Sequence, residues 1–190
     1  MTLLDRLKAE TRQAHDHIER VVDVQARVSS LTAYRQLLAR FYGFHAVWEA
    51  EAQAIIADPD LLAGRSRTPL LVRDLTALGA DPADIRNLPL SPPVLRAPVL
   101  AEALGAMYVV EGSTLGGSIV AKHVERTLGL GPGTGCAYFR SYGAEVGSRW
   151  RDFKARLLAL SSPNTDDQVV AAANRTFAHL SAWFASGTCA

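Results

Sequence analysis

Apolar residues recur along this chain at steps of three and four almost throughout, the spacing of helices that bury one side. Leu4, Leu7, Thr11, His15, Ile18 and Val22 form the first such stripe. It predicts a helix near the N-terminus, with Thr2 or Asp5 as its cap. A second helix fits Thr32 to Ala57, with Leu37, Phe41, Phe44, Ala46 and Trp48 on its apolar side and Asp58-Pro59-Asp60 ending it. A shorter one fits Pro69 to Leu78 and stops at Gly79. Leu88 to Pro98 holds four prolines; it reads as a linker inside one domain, because the helices flanking it are too few to fold apart. A long helix follows from about Val99 to Leu128, then a Gly/Pro loop from Gly129 to Gly135. The last two helices fit Ala144 to Leu160 and Asp166 to Phe184, with Ser161-Ser162-Pro163 between them. No strand, repeat or low-complexity tract stands out. The pattern predicts a single-domain, all-α helical bundle over residues 1–190.

Two places depart from ordinary helix chemistry. The long helix contains Gly112, Gly116 and Gly117. Each interior glycine costs roughly 1 kcal/mol relative to alanine, so the three together forfeit about 3 kcal/mol. Helices keep such a loss where a backbone must approach something closely or where the helix bends. Close packing of another helix accounts for the run as well as a bound ligand does. The other departure is His15, which lies on the apolar stripe, while His17 is turned about 200° away beside Asp16 and Arg20. A lone histidine on such a stripe is most often a hydrogen-bonded core residue. Lys8 and Arg12, however, precede it by seven and three residues. A buried neutral imidazole flanked by two cations suits a metal-containing anionic ligand. The imidazole would bind the metal and the cations would meet carboxylates.

The segment Leu7-Lys8-Ala9-Glu10-Thr11-Arg12-Gln13-Ala14-His15, followed by Glu19, resembles the proximal helix of heme oxygenases. Tyr108-Val-Val-Glu111-Gly112-Ser113-Thr114-Leu115-Gly116-Gly117 resembles their distal helix, in the bacterial form with a Glu-Gly-Ser-x-Leu-Gly run. Gly147-Ser-Arg149-Trp150-Arg-Asp-Phe153 and Ala173-Asn174-Arg175-Thr176-Phe177-Ala-His-Leu180 are similar to further helices of the family. The resemblance thus runs from about residue 2 to residue 185.

It implies a bundle that holds heme b between an N-terminal proximal helix and a kinked, glycine-rich distal helix. Heme would be both substrate and cofactor. Dioxygen and electrons from an external donor, such as a ferredoxin or a flavin reductase, would open the ring at a meso carbon. The products would be biliverdin, iron and carbon monoxide, with a bilin-using phytochrome as a product acceptor. By the same resemblance His15 is the iron ligand, and Lys8, Arg12, Glu19, Tyr108, Gly112, Ser113, Gly116, Arg149 and Phe177 surround the heme. Gly112, Ser113, Gly116 and Gly117 would form the surface at which oxygen is activated. Arg151 and Lys154 are further candidates for the propionates, and Asn174 for the pocket wall. Many relatives carry an Asp in the distal helix where this chain has Ser113. Proton delivery would then rest on water held by backbone carbonyls.

Composition narrows the alternatives. With 48% hydrophobic residues and a net charge of +1, the chain fits a globular domain with a sizeable core and carries no electrostatic footprint for nucleic acid. No apolar run reaches the roughly 20 residues of a membrane span, and the amphipathic start is unlike a signal peptide. Cys136 and Cys189 form neither a disulfide framework nor a zinc pattern, which points to a reducing, cytoplasmic setting. A non-catalytic heme carrier or sensor would use the same pocket. A heme-free helical relative, thiaminase-like or a di-metal oxidase, is less well supported. No Glu-x-x-His pair occurs, and neither cysteine is placed for nucleophilic work. His45, His123 and His179 read as core or surface residues.

Overall fold

The computed structural model describes residues 1–186, and every regular element among them is helical. The N-terminal stripe forms two helices, α1 (Leu3–Glu10) and α2 (Arg12–Val22). Thr2 and Asp5 cap α1 reciprocally, each side chain accepting from the other's backbone N–H. Thr11 marks the break, buried, with its hydroxyl donating to the Leu7 carbonyl at 2.7 Å. The continuous first helix predicted from the stripe is therefore divided, although its phase is kept. Asp23 then turns left-handed, at φ 38°, and caps the short α3 (Val24–Arg27).

The four longer helices predicted beyond this point fall within one or two residues of their expected bounds. They are α4 (Leu31–Ile55), α6 (Thr68–Ala77), α8 (Leu100–Leu128) and α11 (Asp166–Ala185). The predicted helix from Ala144 begins as a 3-10 turn, Gly143–Glu145, before α10 (Val146–Ala159). Three short helices escaped the periodicity: α5 (Pro59–Leu62), α7 (Pro82–Arg86) and α9 (Ala137–Arg140). Asp58 and Asp81 cap the first two and a proline occupies an early position of each.

The centre of the fold is α8, which packs along α11, touches α4, α9 and α10, and buries most of its first half. Gly105 lets α11 lie directly against it, since a Cβ there would run into the Val169 carbonyl and Ala172. The segment after α8 is fixed from α4 and α6. Tyr34 donates to the Gly135 carbonyl at 2.9 Å, and the buried Asp74 carboxylate accepts the N–H groups of Ala137 and Tyr138, both at 2.7 Å. Burial raises the Asp74 pKa, while these two donors oppose the rise. Cys136, where the Gly-rich loop meets α9, is fully buried, and burial lifts its thiol to about 11. Cys189 lies outside the described residues. No helix among the described residues is long and apolar enough to cross a membrane.

Candidate functional site

The helix α8 has two unlike faces. Val110, Glu111, Thr114, Gly117 and Ala121 are buried, whereas Ser113, Leu115, Gly116 and Ile119 are exposed, Ile119 by 73%. A Cβ added to Gly116 would meet nothing within 4 Å, and one on Gly112 would reach only ordinary contact, 3.7 Å from the Trp150 ring. A Cβ on Gly117 would stand 2.6 Å from the Phe139 carbonyl. The three glycines therefore do two jobs. Gly117 lets α9 approach α8, which corrects the expectation that it belongs to the ligand-facing surface. Gly112 and Gly116 leave a strip of backbone uncovered beside the exposed apolar side chains Leu115 and Ile119. The helix runs unbroken through all three.

Around this open face the helices form a ring: α2 packs on α11, α11 on α8, α8 on α10, and α10 on α1. The helices α2 and α8 both pack on α11, and the sides of them that carry His15 and Gly116 are exposed. His15 stands on the part of the α2 stripe that no helix covers. Its side chain is 53% exposed, not buried as the stripe predicted. It rests edge-on against Phe177 of α11, with ring centroids 5.8 Å apart, and Phe177 is itself buried. The Nδ1 atom lies 3.8 Å from Glu19 Oε1, one turn on, and 3.9 Å from Asp16 Oδ1. A carboxylate on that side favours the tautomer with the proton on Nδ1 and frees Nε2 for a metal.

The expected propionate partners divide according to how they are already engaged. Lys8 and Arg12 are exposed and take part in no ion pair among the described residues. Arg149 is committed elsewhere, donating to the Ala63 carbonyl at 2.9 Å and lying 3.7 Å from Glu145. Lys154 lies over the Trp150 ring and Arg151 is exposed. Tyr108 is half-buried with its ring 5.5 Å from Trp150, and burial raises its pKa. The Ser113 hydroxyl donates to the Val110 carbonyl at 2.7 Å, so its lone pairs are free to accept. Asn174 also bonds its own helix, donating to Val170, and with Phe177 lines a groove of about 330 Å³ on the His17 side of α2.

A buried polar cluster under α8 escaped the sequence reading. Glu111 is only 1% exposed. Arg65 Nη1 donates to it, the Tyr142 hydroxyl reaches both of its oxygens at 2.9 and 3.0 Å, and Arg67 Nη2 lies 3.6 Å away. The Arg67 guanidinium also stacks 3.8 Å above the Tyr142 ring. Burial, then the Glu111 charge, lifts the Tyr142 phenol to about 12. Beside the cluster His45 is buried, with Nε2 3.1 Å from the Tyr138 hydroxyl. Its Nδ1 is 3.7 Å from Glu49, close enough to suggest an ion pair. Burial and the neighbouring Arg67 instead depress its pKa to about 3, so the ring is neutral. The signal that would have found the cluster was a carboxylate at 111 on the buried stripe of the long helix, which needs a cation to accompany it.

Solved structures with the same fold are heme oxygenases. The NO- and CO-bound heme oxygenase of Neisseria meningitidis is 23% identical, with a TM-score of 0.79 over 98% of this chain and 92% of that one. The heme oxygenase of Leptospira interrogans is 17% identical, with a TM-score of 0.78 over 98% of this chain and 100% of that one. Heme oxygenase-1 of Synechocystis, in complex with heme, is 18% identical, with a TM-score of 0.72 over 98% and 92%. No curated protein matches the chain in sequence. The heme oxygenase family model matches residues 1–186, nearly the whole length and both motif helices, and the chain belongs to the heme oxygenase family.

Proposed function

We propose that this chain binds heme between α2 and α8, in a cleft formed by their exposed sides, and opens its ring to biliverdin, with release of iron and carbon monoxide. The observation that carries the placement is Gly116. It is a bare, open stretch of backbone on the most buried helix of the fold, bracketed by exposed Leu115 and Ile119. A flat apolar ring with an anionic edge fits that surface, since the glycines let the backbone approach it and the two apolar side chains meet the same face. When bound, heme supplies the iron at which dioxygen is reduced and the carbon framework that is oxidised.

The protein's part is positioning and protons. His15 would offer Nε2 to the iron, with the Glu19 carboxylate 3.8 Å from Nδ1 favouring the proton on that nitrogen. Lys8 and Arg12, exposed and in no ion pair among the described residues, meet the propionates. Tyr108 adds a hydroxyl from the other side, and Arg149 contributes only if it gives up its bond to Ala63. Ser113 and the carbonyls of α8 hold the water that passes protons, because no carboxylate occupies that face at 113. Dioxygen and a one-electron donor of the ferredoxin or flavin reductase kind complete the reaction, and a bilin-binding phytochrome is a fitting acceptor. The two cysteines outside any disulfide pattern fit a reducing cytoplasm.

Ser113, with its hydroxyl turned onto Val110, is the one observation that favours a heme carrier or sensor. Mixing the protein with hemin and adding a reductant under air separates the two readings. Loss of the Soret band with growth of a biliverdin band is expected. A stable ferrous spectrum without ring loss would make it a carrier, and absence of heme binding would remove both readings.

A further inference from the structure

The buried cluster under α8 ties three separate parts of the chain to the residue that precedes Gly112, two directly and α4 through Glu49. Arg65 and Arg67 come from the connection between α5 and α6, and Tyr142 from the turn after α9. Glu49 of α4 locks that connection in turn, accepting from the Ser66 hydroxyl and from the N–H groups of Arg67 and Thr68, the latter at 3.0 Å. Both arginine side chains are nearly sealed, at 7% and 3% exposure.

Apolar packing alone leaves a helix free to adjust its rotation by small amounts. A carboxylate gripped by an arginine and a phenol from fixed directions does not. At about 100° per residue, Gly112 lies about 100° from Glu111 around the helix and Gly116 about 140°, on the side that is open. Holding Glu111 inward therefore holds the bare backbone outward. The arrangement does no chemistry itself, because Glu111 faces Arg65, Arg67 and Tyr142 and is shielded from the cleft.

We infer that Arg65, Glu111, Arg67 and Tyr142 are positioning residues that fix the rotational register of α8 against the bound heme, and with it the edge of the ring that is attacked. This rests on the heme oxygenase reading. Loosening the grip would let α8 rock, so that Gly112 and Gly116 met the ring at more than one angle.

Two measurements on Glu111→Gln and Arg65→Lys test it. The first is amide hydrogen exchange of the heme-free protein. Residues 108–119 are expected to exchange at least tenfold faster while α4 and α11 keep the parent rates. A uniform rise over all helices would mean a merely structural role and overturn the inference. The second is the ratio of biliverdin isomers formed from hemin, expected to broaden in Glu111→Gln and less in Arg65→Lys, which keeps the charge but loses the fork. Should Glu111→Gln fail to fold, Tyr142→Phe keeps the ion pair and removes the hydroxyl, and a smaller shift of both readouts in the same direction is expected. Parent-like exchange and a parent-like isomer ratio would overturn the inference while leaving the enzyme intact. If the parent itself formed no biliverdin, the functional reading would fail, and the exchange pattern alone would still decide the register.

Discussion

The two faces of α8 carry the same residue type one position apart and put it to opposite uses. Gly117 is pressed against a carbonyl of α9, and Gly116 faces open space. Glu111 and Gly112 repeat the contrast, a sealed charge followed by open backbone. Stability is concentrated on one face and the surface offered to the ligand on the other. The opposing helix α2 extends the contrast, for only Val22 in it is fully buried, against fourteen residues in α8. Changes on the cleft side should therefore affect turnover and spare folding, whereas changes on the packed side should act on stability or, at Glu111, on how the open face is held.

The largest effect is expected at His15. His15→Ala should abolish normal turnover, and imidazole added in solution should partly restore the heme spectrum. Because the side chain is half exposed and bonded weakly, folding stability should move by no more than about 0.5 kcal/mol. Absorption spectra of the hemin complex and urea titration of the heme-free protein check the two halves. If His17→Ala silenced the enzyme and His15→Ala did not, the cleft would lie on the other side of α2, where the groove beside Asn174 and Phe177 already runs.

The adjacent glycines give the sharpest test of the contrast, since one substitution is made at both. Gly117→Ala drives a methyl group into the Phe139 carbonyl and should cost about 1–3 kcal/mol as the helices move apart. Gly116→Ala meets nothing and should gain up to about 1 kcal/mol from helix propensity. Thermal unfolding of the heme-free variants reads both signs. Gly116→Leu, with the same open surroundings, should remain folded and lose most of its heme turnover. Normal turnover in that variant would mean that the open face of α8 is not where the ring lies.

The long elements were legible because burying one side of a helix imposes a period on the sequence, and α4, α6, α8 and α11 each run far enough to display it. The helices α5, α7 and α9 have four or five residues, too few for a period, and only the caps Asp58 and Asp81 announced the first two. Family likeness singled out His15, Glu19 and the glycines of α8 as candidates. It did not separate Gly117 from Gly116, because that difference depends on where the Phe139 carbonyl lies. Arg65 and Arg67 carry no signal of their own in the sequence. Their burial is set by Glu111, 46 and 44 positions along the chain, and no local pattern reports such a partner.

On the packed side a smaller, pH-dependent effect is expected from His45. Its pKa is about 3 in the fold, against an ordinary 6.5, because the ring is buried and Arg67 repels a second charge, with Tyr138 and Glu49 as its other neighbours. Between those two values the unfolded chain holds a proton that the folded chain does not. Unfolding free energy should therefore fall as pH falls from about 6.5, by about 1.4 kcal/mol per unit from this residue, and be indifferent to it above. Urea titrations at pH 7, 6 and 5 measure the slope. In His45→Gln the slope should flatten even though the variant is less stable throughout. An unchanged slope would place the proton uptake on another group.

The smallest effect is expected at Ser113, where the cleft face departs from the carboxylate that many relatives carry. Its hydroxyl is turned back onto the Val110 carbonyl and donates nothing to the cleft. It contributes at most an acceptor, so Ser113→Ala removes one hydrogen bond of about 0.5–1.5 kcal/mol from the water that carries protons. Single-turnover rates with dioxygen should fall less than tenfold, equivalent to under about 1.4 kcal/mol in the barrier. Stability should barely change, because the residue is exposed. Ser113→Asp sharpens the point. On an exposed position a carboxylate stays hydrated and is tolerated, whereas against a bound ring it would be buried without a partner and costly. A hundredfold loss in Ser113→Ala would make the hydroxyl itself the proton carrier. The open face of α8 would then act through a side chain, not through bare backbone.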